Sequence, residues 1–462
     1  MTRHHALGSA QERLARIGLS LPDLLLPRAE VDLRLWAVNA CDQHVHDGSY
    51  WDRARARIGG SPSALSLILP EADLGCQNLS DRILDIHRAM DGYLRTGILR
   101  PIGNGFMVVD RTISAGMRRT GLLVAFDLET WHRTDRDCFA LRPTESTVED
   151  RLPARYSIRE GAAVELPHVL ALVDDPEGIL SDLLETIPGR ELYRADLAED
   201  AGDVRGRLVE DRESVELVVS CLEGLAKPAR PTDRVWFVGD GNHSLEVARR
   251  HWNGLRSTLD EQGRADHPAR LLLAELVPAQ SQGLPVLAVH RRIHGIDHHT
   301  LRDEFGKIGL ASAPCTLLEL REDLESDAGR WIAGWTNGDN YWHLVAEGPP
   351  SDRFDRILDG LLVRLQAMAE GRRIDYLHGW DESLSGDTGG CTIHVRSPST
   401  RSLIQAFGAG EILPPKTFSL GTPRDKRHYL EARLLRPWCA SLAGGGGLTA
   451  PTTTPNGGRH GS

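Results

Sequence analysis

Residues 235–245 read Val-Trp-Phe-Val-Gly-Asp-Gly-Asn-His-Ser-Leu. Four apolar, mostly β-forming residues end at Gly-Asp-Gly, and helical spacing of apolar residues follows from Leu245 to Trp252. This pattern predicts a buried strand, a tight turn and the start of a helix. The chain is therefore expected to combine strands with helices around this unit.

The predicted turn carries the chemical groups of an anion-binding site. Gly239 and Gly241 allow positive φ angles and close approach of a ligand to the backbone. The first N–H groups of a helix are unpaired and attract negative charge, helped by the helix dipole. Asn242, His243 and Ser244 would lie at the helix mouth, where they could meet a carboxylate, a phosphate or a metal-bound oxygen. Alternatively, Asn242 or Ser244 only caps the helix and His243 is a loop histidine with satisfied hydrogen bonds.

The composition is that of a globular protein whose ligand is not a nucleic acid. Hydrophobic residues make up 40% of the 462 residues and charged residues 26%, which allows one large or two ordinary cores. There are 65 acidic and 54 basic residues, giving a formal net charge of −11. Because phosphate backbones are held by clustered Lys and Arg, this balance favours a small-molecule or protein partner.

Cysteine usage and hydropathy favour a cytoplasmic location. The seven cysteines are scattered, odd in number and without the close pairs of zinc ribbons, as expected for reduced thiols. Residues 1–20 contain Arg, His and Glu and have no uninterrupted apolar core, so no signal peptide is predicted. No segment approaches the roughly 20 apolar residues that a membrane span requires. We therefore expect a cytoplasmic protein without a membrane partner.

Hydrophobic periodicity predicts several further strands and helices. A helix with one buried face is expected over residues 81–94, and a β-hairpin over 106–113 and 119–127. Residues 177–226 are expected to be helical and charged. Additional strands are expected at residues 66–71, 169–173, 271–277 and 284–289.

These elements predict a mixed α/β fold of the α+β kind, with a large, partly antiparallel sheet and flanking helices. We expect a surface helix within residues 1–24, an N-terminal lobe over 25–165 and a C-terminal lobe over 166–438. The two lobes would pack closely and meet near the glycine turn. Beyond that, residues 439–462 are rich in Gly, Thr and Pro without periodicity, which predicts a disordered tail.

A polar cluster lies between residues 141 and 151. Glu145, Asp150 and Arg151 follow one another at short spacing and could provide a general base and a phosphate-binding guanidinium. The alternative is a capped helix start, with Thr144 or Ser146 as the cap and acidic residues in the first turn.

Two aspartates form a candidate magnesium site. Asp174 follows the apolar run 169–173, and Asp240 lies between the two glycines of the turn. Carboxylates at the end of a buried strand are where α/β proteins place magnesium ligands. Asp174 is equally explained as a turn former before proline.

Two further polar pairs are candidates for the same site. His290 and Arg291 follow the predicted strand 284–289, and Lys416 and Thr417 follow two prolines that stiffen a loop. A lysine on a rigid loop and a guanidinium at a strand end suit a phosphate, although simple surface exposure explains the same residues. We expect both pairs to converge with Glu145 and the glycine turn on one cleft, because dispersed positions need convergence to make a site.

A pair of histidines raises the possibility of a metal site. His44 and His46 would point the same way on a strand and could bind a metal with Asp42 or Asp47. Spacing fixes no third ligand, and a polar loop with two solvated histidines explains the same residues.

An ordered series of motifs resembles one protein family. The motifs include Asn-Ala-Cys-Asp-Gln (39–43), Leu-Ile-Leu-Pro-Glu (67–71), Thr-Glu-Ser-Thr-Val-Glu-Asp-Arg (144–151), Gly-Asp-Gly-Asn-His-Ser-Leu (239–245) and Leu-Pro-Pro-Lys-Thr-Phe-Ser-Leu-Gly (413–421). On these motifs the chain is identified as a member of the bacterial and archaeal family of unknown function numbered 1015, over about residues 25–435.

The glycine turn is also similar to the Gly-x-x-His-Arg-type turn of ParB-like and sulfiredoxin-like proteins. That superfamily includes ATP-dependent kinases of free serine. Many members of the wider family have Gly-His-His-Arg at this turn, whereas this chain has Asn-His-Ser at 242–244. The missing arginine removes a bidentate phosphate clamp, so Arg151, Arg291 or Lys416 would have to supply the positive charge.

The leading functional hypothesis is an ATP- and magnesium-dependent enzyme that transfers a phosphoryl group to a small hydroxylated metabolite such as an amino acid. Glu145, Asp240 and His243 are the candidate catalytic residues. Glu145 would accept the hydroxyl proton, residues 239–244 would cradle phosphate, and Asp240 or Asp174 would hold magnesium. The alternatives are a non-catalytic nucleotide- or metabolite-binding regulatory protein and a metal-dependent hydrolase that uses His243 and His290. The sequence predicts no particular oligomeric state.

Overall fold

Two large β-sheets organise the chain. The computed structural model describes residues 2–45, 47–113, 116–227, 233–326, 333–346, 354–369, 372–384 and 390–437. His46 and the predicted tail lie outside the described residues. The helices within the described ranges are α1 Thr2–Arg16, α2 Leu33–Trp36, α3 Gly48–Ile58, α4 Leu79–Arg95, α5 Leu152–Gly161, α6 Ile179–Thr186, α7 Arg212–Leu225, α8 Asn242–Arg256, α9 Glu261–Asp266, α10 His298–Gly306, α11 Leu317–Glu325, α12 Phe354–Ala367, α13 Gly379–Leu384 and α14 Thr400–Gly408.

The strands of the same ranges belong to these sheets or to two smaller ones. They are β1 Leu19–Ser20, β2 Leu24–Pro27, β3 Val38–Asn39, β4 Leu99–Pro101, β5 Phe106–Thr112, β6 Arg118–Asp127, β7 Val164–Glu165, β8 Val169–Val173, β9 Arg190–Asp196, β10 Asp203–Val209, β11 Phe237–Asp240, β12 Leu271–Pro278, β13 Val286–His294, β14 Leu310–Cys315, β15 Ala333–Thr336, β16 Tyr341–Ala346, β17 Ile374–His378, β18 Gly390–Val395, β19 Phe418–Leu420, β20 His428–Tyr429 and β21 Ala432–Leu434.

The first sheet has the order β11-β8-β12-β6-β5-β10-β9, with β1 added to β6. All of its pairings are antiparallel except that of β8 with β12. The predicted hairpin is present as β5 and β6, which pair with Thr112 opposite Arg118. The mixed α/β fold with a large, partly antiparallel sheet is therefore confirmed. Its strands come from residues 19–278, so the sheet spans the position 165/166 at which two lobes were expected to divide.

The second sheet has the order β14-β16-β15-β18-β13-β17, with β19 paired to β13, and is antiparallel throughout. A small sheet, β4-β2-β21-β7, and the pair β3–β20 bring the C-terminal strands back against the N-terminal part of the chain. β19 pairs with β13 of the second sheet, Leu420 lies next to Gly239, and Lys426 pairs with Asp240, so this return brings the C-terminal residues to the glycine turn.

Each large sheet has its own hydrophobic core. Trp36, Trp236 and Trp252 are fully buried in the larger core around the first sheet. Phe305 and Trp335 are fully buried in the core of the second sheet. Burial of a large apolar side chain stabilises the fold by roughly 1.5 to 3 kcal/mol, so these aromatic residues are major contributors.

The predicted strand, turn and helix are confirmed as β11, Gly241 and α8. Gly241 has a φ of 93°, in the left-handed region that favours glycine. A Cβ at Gly239 would lie 2.6 Å from Cδ1 of Leu420, so this position admits no side chain without movement of its neighbours. The buried face of α8 then packs against α5 and the first sheet.

Two local predictions are wrong. Residues 66–71 form no strand; instead, short 3-10 helices span Ala64–Leu67 and Glu71–Asp73. The segment 177–226 is not helical throughout, because it contains β9 and β10. β9 lies at the edge of its sheet and exposes its charged residues, so its composition resembled that of a surface helix.

A buried ion network fixes the C-terminal strands to the first sheet. The guanidinium of Arg427 binds the carboxylates of Glu275 on β12 and Glu431, and Tyr193 donates a hydrogen bond to Glu431. All four side chains are buried. Because removal of one partner leaves uncompensated buried charge, this network strongly constrains the position of residues 425–431.

None of the described helices combines the length and the apolar character that crossing a bilayer requires.

Candidate active site

The carboxylate of Glu145 is held by the loop that carries Lys416 and Thr417. Oε2 accepts the N–H of Lys416 at 3.1 Å, and Oε1 accepts the N–H of Thr417 at 2.9 Å. Lys416 has a φ of 63°, which turns these successive N–H groups toward one acceptor. Burial raises the pKa of Glu145, against the opposing effects of Lys416 and these N–H groups. The predicted convergence of Glu145, Lys416 and Thr417 is present in the structure.

Asn242 connects the first turn of α8 to the same region. Its Oδ1 accepts the N–H of Thr144 at 2.9 Å and that of Glu145 at 3.5 Å. The Thr144 hydroxyl donates to the carbonyl of Val238 at 2.6 Å. Thr144 is therefore not a helix cap, and α5 begins only at Leu152.

His243 is a neutral hydrogen-bond acceptor. Its Nε2 accepts the N–H of Val148 at 3.0 Å, which places the ring proton on Nδ1. Burial, followed by repulsion from Arg155 and Arg151, lowers the pKa of His243 to about 4. At neutral pH this imidazole carries no charge, so the positive charge of the site comes from other residues.

Free backbone donors lie at the start of α8. Within the described part of the chain, the N–H groups of Asn242, His243 and Ser244 have no protein acceptor. Arg155 and Arg151 act electrostatically on His243, and so does Lys416. The start of α8 thus combines unpaired N–H donors with the electrostatic influence of three cations, opposed by Asp42.

Arg151 and Arg155 are both held by Glu71. Oε1 of Glu71 lies 2.9 Å from Nη1 of Arg151, and its Oε2 pairs with Nη2 of Arg155. The side chain of Arg155 is only 14% exposed, whereas that of Arg151 is 45% exposed. Arg155, which sequence reasoning did not select, is therefore the better desolvated cation.

Asp42, His168 and Tyr429 form a second polar group, in which His168 and Tyr429 were not selected from the sequence and Asp42 was considered only as a metal ligand. Nε2 of His168 lies 3.5 Å from Oδ2 of Asp42, and its Nδ1 lies 2.5 Å from the Tyr429 hydroxyl. Burial alone lowers the pKa of His168, but Tyr429 and Asp42 outweigh it and raise that pKa well above its ordinary value. Asp42 and Glu71 lie within motifs that carried the family resemblance, which is the signal that could have identified them.

The two aspartates proposed for magnesium lie far apart. β8 and β11 are antiparallel, with Asp240 opposite Leu170, so Asp174 follows the other end of β8. Asp240 pairs with Nζ of Lys426 at 3.0 Å, and Asp174 accepts the Gln280 amide at 2.7 Å. They cannot hold one ion together. Across the residues that the structure describes, no group of three or more His, Cys, Asp or Glu side chains could hold a metal ion.

Arg291 and His290 lie in different environments. β13 continues through both residues to His294, so they do not lie at a strand end as predicted. Arg291 donates to the carbonyl of Lys416 at 2.9 Å and thereby supports the loop that holds Glu145. His290 lies within the second sheet, where it is fully buried beside Trp380 and His394. The structure does not bring His290 to the start of α8.

The histidine pair predicted as a metal site is only partly described. Nε2 of His44 lies 3.3 Å from the Asn39 amide, and its ring stacks on Tyr50 at 3.6 Å. Asp47 caps α3, and Asp42 faces His168 instead. His46 lies outside the described residues.

Two cavities flank the first turn of α8. The larger has a volume of about 430 Å³ and is lined by residues that include Glu145, Asn242 and Trp131. The smaller has a volume of about 150 Å³ and is lined by residues that include Ser244 and Arg155. A volume of several hundred Å³ is typical of small-molecule sites, so the first turn of α8 is accessible to a ligand of that size.

Comparison with known proteins gives the following likenesses. No curated protein sequence matches the chain. A free serine kinase variant solved in complex with AMP is similar at 14% identity and a TM-score of 0.38, covering 68% of this chain and 91% of that one. A conserved hypothetical protein from Pyrococcus furiosus is similar at 12% identity and a TM-score of 0.35, covering 67% and 90%. C-terminally truncated SbnI from Staphylococcus aureus is similar at 9% identity and a TM-score of 0.34, covering 65% and 82%.

A family sequence profile gives a firmer result than these distant structures. The profile described as "Protein of unknown function (DUF1015)" matches residues 24–331, which is most of the chain. This match includes the glycine turn and the Glu145 segment. The chain therefore belongs to the DUF1015 family.

Proposed function

We propose that the protein binds a nucleotide or another phosphorylated small molecule at the start of α8 and transfers a phosphoryl group to a small hydroxylated acceptor such as an amino acid. One observation carries the proposal: the N–H groups of residues 242–244 have no acceptor among the described residues, and Arg151, Arg155 and Lys416 all act electrostatically on His243 in the same turn. Phosphoryl transfer requires mainly positioning and electrostatic stabilisation, which these groups supply.

Glu145 is the proposed general base. Burial raises its pKa, which makes the carboxylate a stronger proton acceptor than an exposed glutamate. Each carboxylate oxygen has two lone pairs, and one backbone N–H from Lys416 or Thr417 occupies only one on each. A substrate hydroxyl could therefore still donate to Glu145.

Asp240 is the proposed contact for magnesium. Its side chain is 28% exposed, and one of its oxygens already faces Lys426. Magnesium in kinases is held by one or two carboxylates together with substrate phosphates, so one aspartate fits this role only when a nucleotide is bound. The ion would neutralise charge on the phosphates. Asp174 lies too far away to share it.

The test of binding is isothermal titration with ATP and ADP, with and without magnesium. We expect a dissociation constant in the millimolar range or tighter for the wild type, and at least about tenfold weaker binding for Arg155→Met. The matched control is Arg88→Met, because Arg88 lies on α4 with its side chain 74% exposed. Absence of both heat and a thermal shift at millimolar nucleotide would refute the proposal.

A non-catalytic regulatory protein is the second candidate. The carboxylate of Glu145 accepts hydrogen bonds from two backbone N–H groups, as a purely structural glutamate would, and this favours the second candidate. The variant Glu145→Gln distinguishes the two. A catalytic base predicts loss of ADP formation in a screen of hydroxylated amino acids, with nucleotide affinity retained. If the wild type binds nucleotide but forms no ADP with any acceptor, the non-catalytic binding protein is favoured.

A further inference from the structure

Cys41 ends a chain of hydrogen-bonding side chains that the proposed kinase mechanism does not use. Asp42 lies 3.5 Å from His168, which lies 2.5 Å from the Tyr429 hydroxyl. That hydroxyl donates to Sγ of Cys41 at 3.5 Å, and the N–H of Cys41 donates back to it at 3.2 Å. Asp42, His168 and Cys41 are thus the acid, imidazole and thiol of a nucleophilic triad, joined through Tyr429.

The surroundings of Cys41 differ from those of other cysteines. His168 lies within side-chain hydrogen-bonding reach of Cys41, and Arg155 also interacts with it electrostatically. Cys221, Cys315 and Cys391, by contrast, each have a pKa that burial raises to about 11. Cys41 therefore has polar and charged neighbours, whereas these three thiols are buried mainly among apolar groups.

The thiol lies on the wall of an apolar cavity. The cavity has a volume of about 150 Å³ and contains Cys41, His168, Tyr429 and Ser244 among its lining residues. An apolar cavity of this size accommodates a molecule about as large as benzene. Most of the remaining wall is apolar and includes Leu67, Leu69, Leu74, Met90, Ile158 and Leu272. The space therefore suits a short hydrocarbon chain next to the sulfur.

We propose that Cys41 is a nucleophile that accepts a short apolar acyl group from an activated ester or thioester, with the acyl chain in this cavity. Sγ of Cys41 attacks the carbonyl carbon as a thiolate whose proton is already held by His168. A carbon–sulfur bond forms and the bond to the alcohol or thiol leaving group breaks. His168 gives its proton to the leaving group, so the products are a Cys41 thioester, a neutral His168 and a free alcohol or thiol. The N–H of Ser244 is the proposed donor to the carbonyl oxygen.

Tyr429 has a positioning role in this proposal. Its hydroxyl contacts both His168 and Cys41 and orients the thiol toward the cavity. Asp42 orients His168 and stabilises its protonated form. No nucleotide takes part in this step, but the N–H of Ser244 also belongs to the proposed phosphate site, so the ester burst is measured without nucleotide.

The test uses the full-length protein and p-nitrophenyl esters of acetate, butanoate, hexanoate and decanoate. We expect a burst of p-nitrophenolate equivalent to one site per chain, fastest with butanoate or hexanoate, and an acyl mass increment on the Cys41 peptide. Cys41→Ala should abolish the burst, His168→Gln should slow it at least about tenfold, and Cys221→Ala should leave it unchanged.

A second measurement covers variants that fail to fold. Iodoacetamide labelling of the wild type, followed by peptide mass spectrometry, should modify Cys41 at least about tenfold faster than Cys315. Tyr429→Phe should reduce that preference. Equal labelling of the two cysteines, acylation at other residues, or a burst with no dependence on chain length would each overturn the proposal.

Discussion

Protonation of His243 should destabilise the protein in mild acid. Its Nε2 accepts the N–H of Val148, and its pKa is lowered to about 4, from an ordinary value of 6.5. A histidine with a depressed pKa in the folded state contributes stability that is present above the unfolded-state pKa and is lost as pH falls toward the folded-state pKa. The relevant window therefore runs from about pH 6.5 down to about pH 4.

The magnitude follows from these two pKa values. At about pH 4.5 nearly all of the unfolded chains but only about a quarter of the folded ones would carry the proton on His243, which corresponds to a loss of about 2.5 kcal/mol. The side chain is partly exposed, and solvent screening reduces this figure to roughly 1 to 2 kcal/mol. The variant His243→Gln removes the titration while keeping an oxygen that can accept from Val148.

The assay is urea unfolding of the wild type and His243→Gln at several pH values between about 7 and 4.5. As pH falls, the wild type should lose roughly 1 to 2 kcal/mol more unfolding free energy than His243→Gln does. The control is His299→Gln, since His299 is exposed on α10. Other buried histidines also titrate, so only the difference between variants is informative. Parallel pH profiles for wild type and His243→Gln would refute a neutral, half-buried His243.

Three further predictions concern stability and can be read from the same urea experiments. Arg427→Met should cost about 3 to 5 kcal/mol, because it leaves two buried carboxylates unpaired; a loss below 1 kcal/mol would contradict the ion network. Gly241→Ala should cost about 1 to 2 kcal/mol, since its φ is 93° and a Cβ would lie 3.1 Å from Cα of Val169; an unchanged midpoint would contradict this geometry. Glu145 has a raised pKa, so its contribution to the unfolding free energy is largest in acid and is lost as pH rises through that pKa. The unfolding free energy of the wild type relative to Glu145→Gln should therefore fall as pH rises. An increase with pH would contradict the burial of Glu145.

Local sequence patterns predicted local structure well. The buried run at residues 169–173 became β8, and the apolar residues before Gly239 became β11. The helix expected over 81–94 is α4, which spans Leu79–Arg95. In each case the local arrangement of apolar residues reflects the surface that the element buries. Residues close together in the sequence are therefore enough to predict the element.

The composition of the site could be predicted only in part. Glu145, Lys416 and the glycine turn lie together as expected, because a motif pattern had already linked them. His168 and Tyr429 were missed, since nothing in their own stretches links them to Asp42; they meet it only through sheet pairing and the return of the C-terminal strands. Contacts between residues more than 100 positions apart leave no periodic signal in a single sequence.

The position of His290 shows a second limit of sequence reasoning. An apolar run followed by polar residues suggested a strand end, but β13 continues to His294 and buries its polar side chains. Arg292, for example, donates to the carbonyl of Ser383 at 2.7 Å. The hydrogen-bond partners of such residues come from distant elements. The residue type alone therefore does not show whether a polar side chain is buried or exposed.

Hydrogen exchange with added ATP and magnesium tests the central claim most directly. The N–H groups of residues 242–244 have no acceptor among the described residues, so they should exchange quickly in the free protein. Bound phosphate would supply that acceptor, and the account predicts slower exchange in the segment 239–245 together with the loop 413–417. Protection confined to other segments, such as residues 378–381, which line a separate cavity of about 1060 Å³, would contradict it.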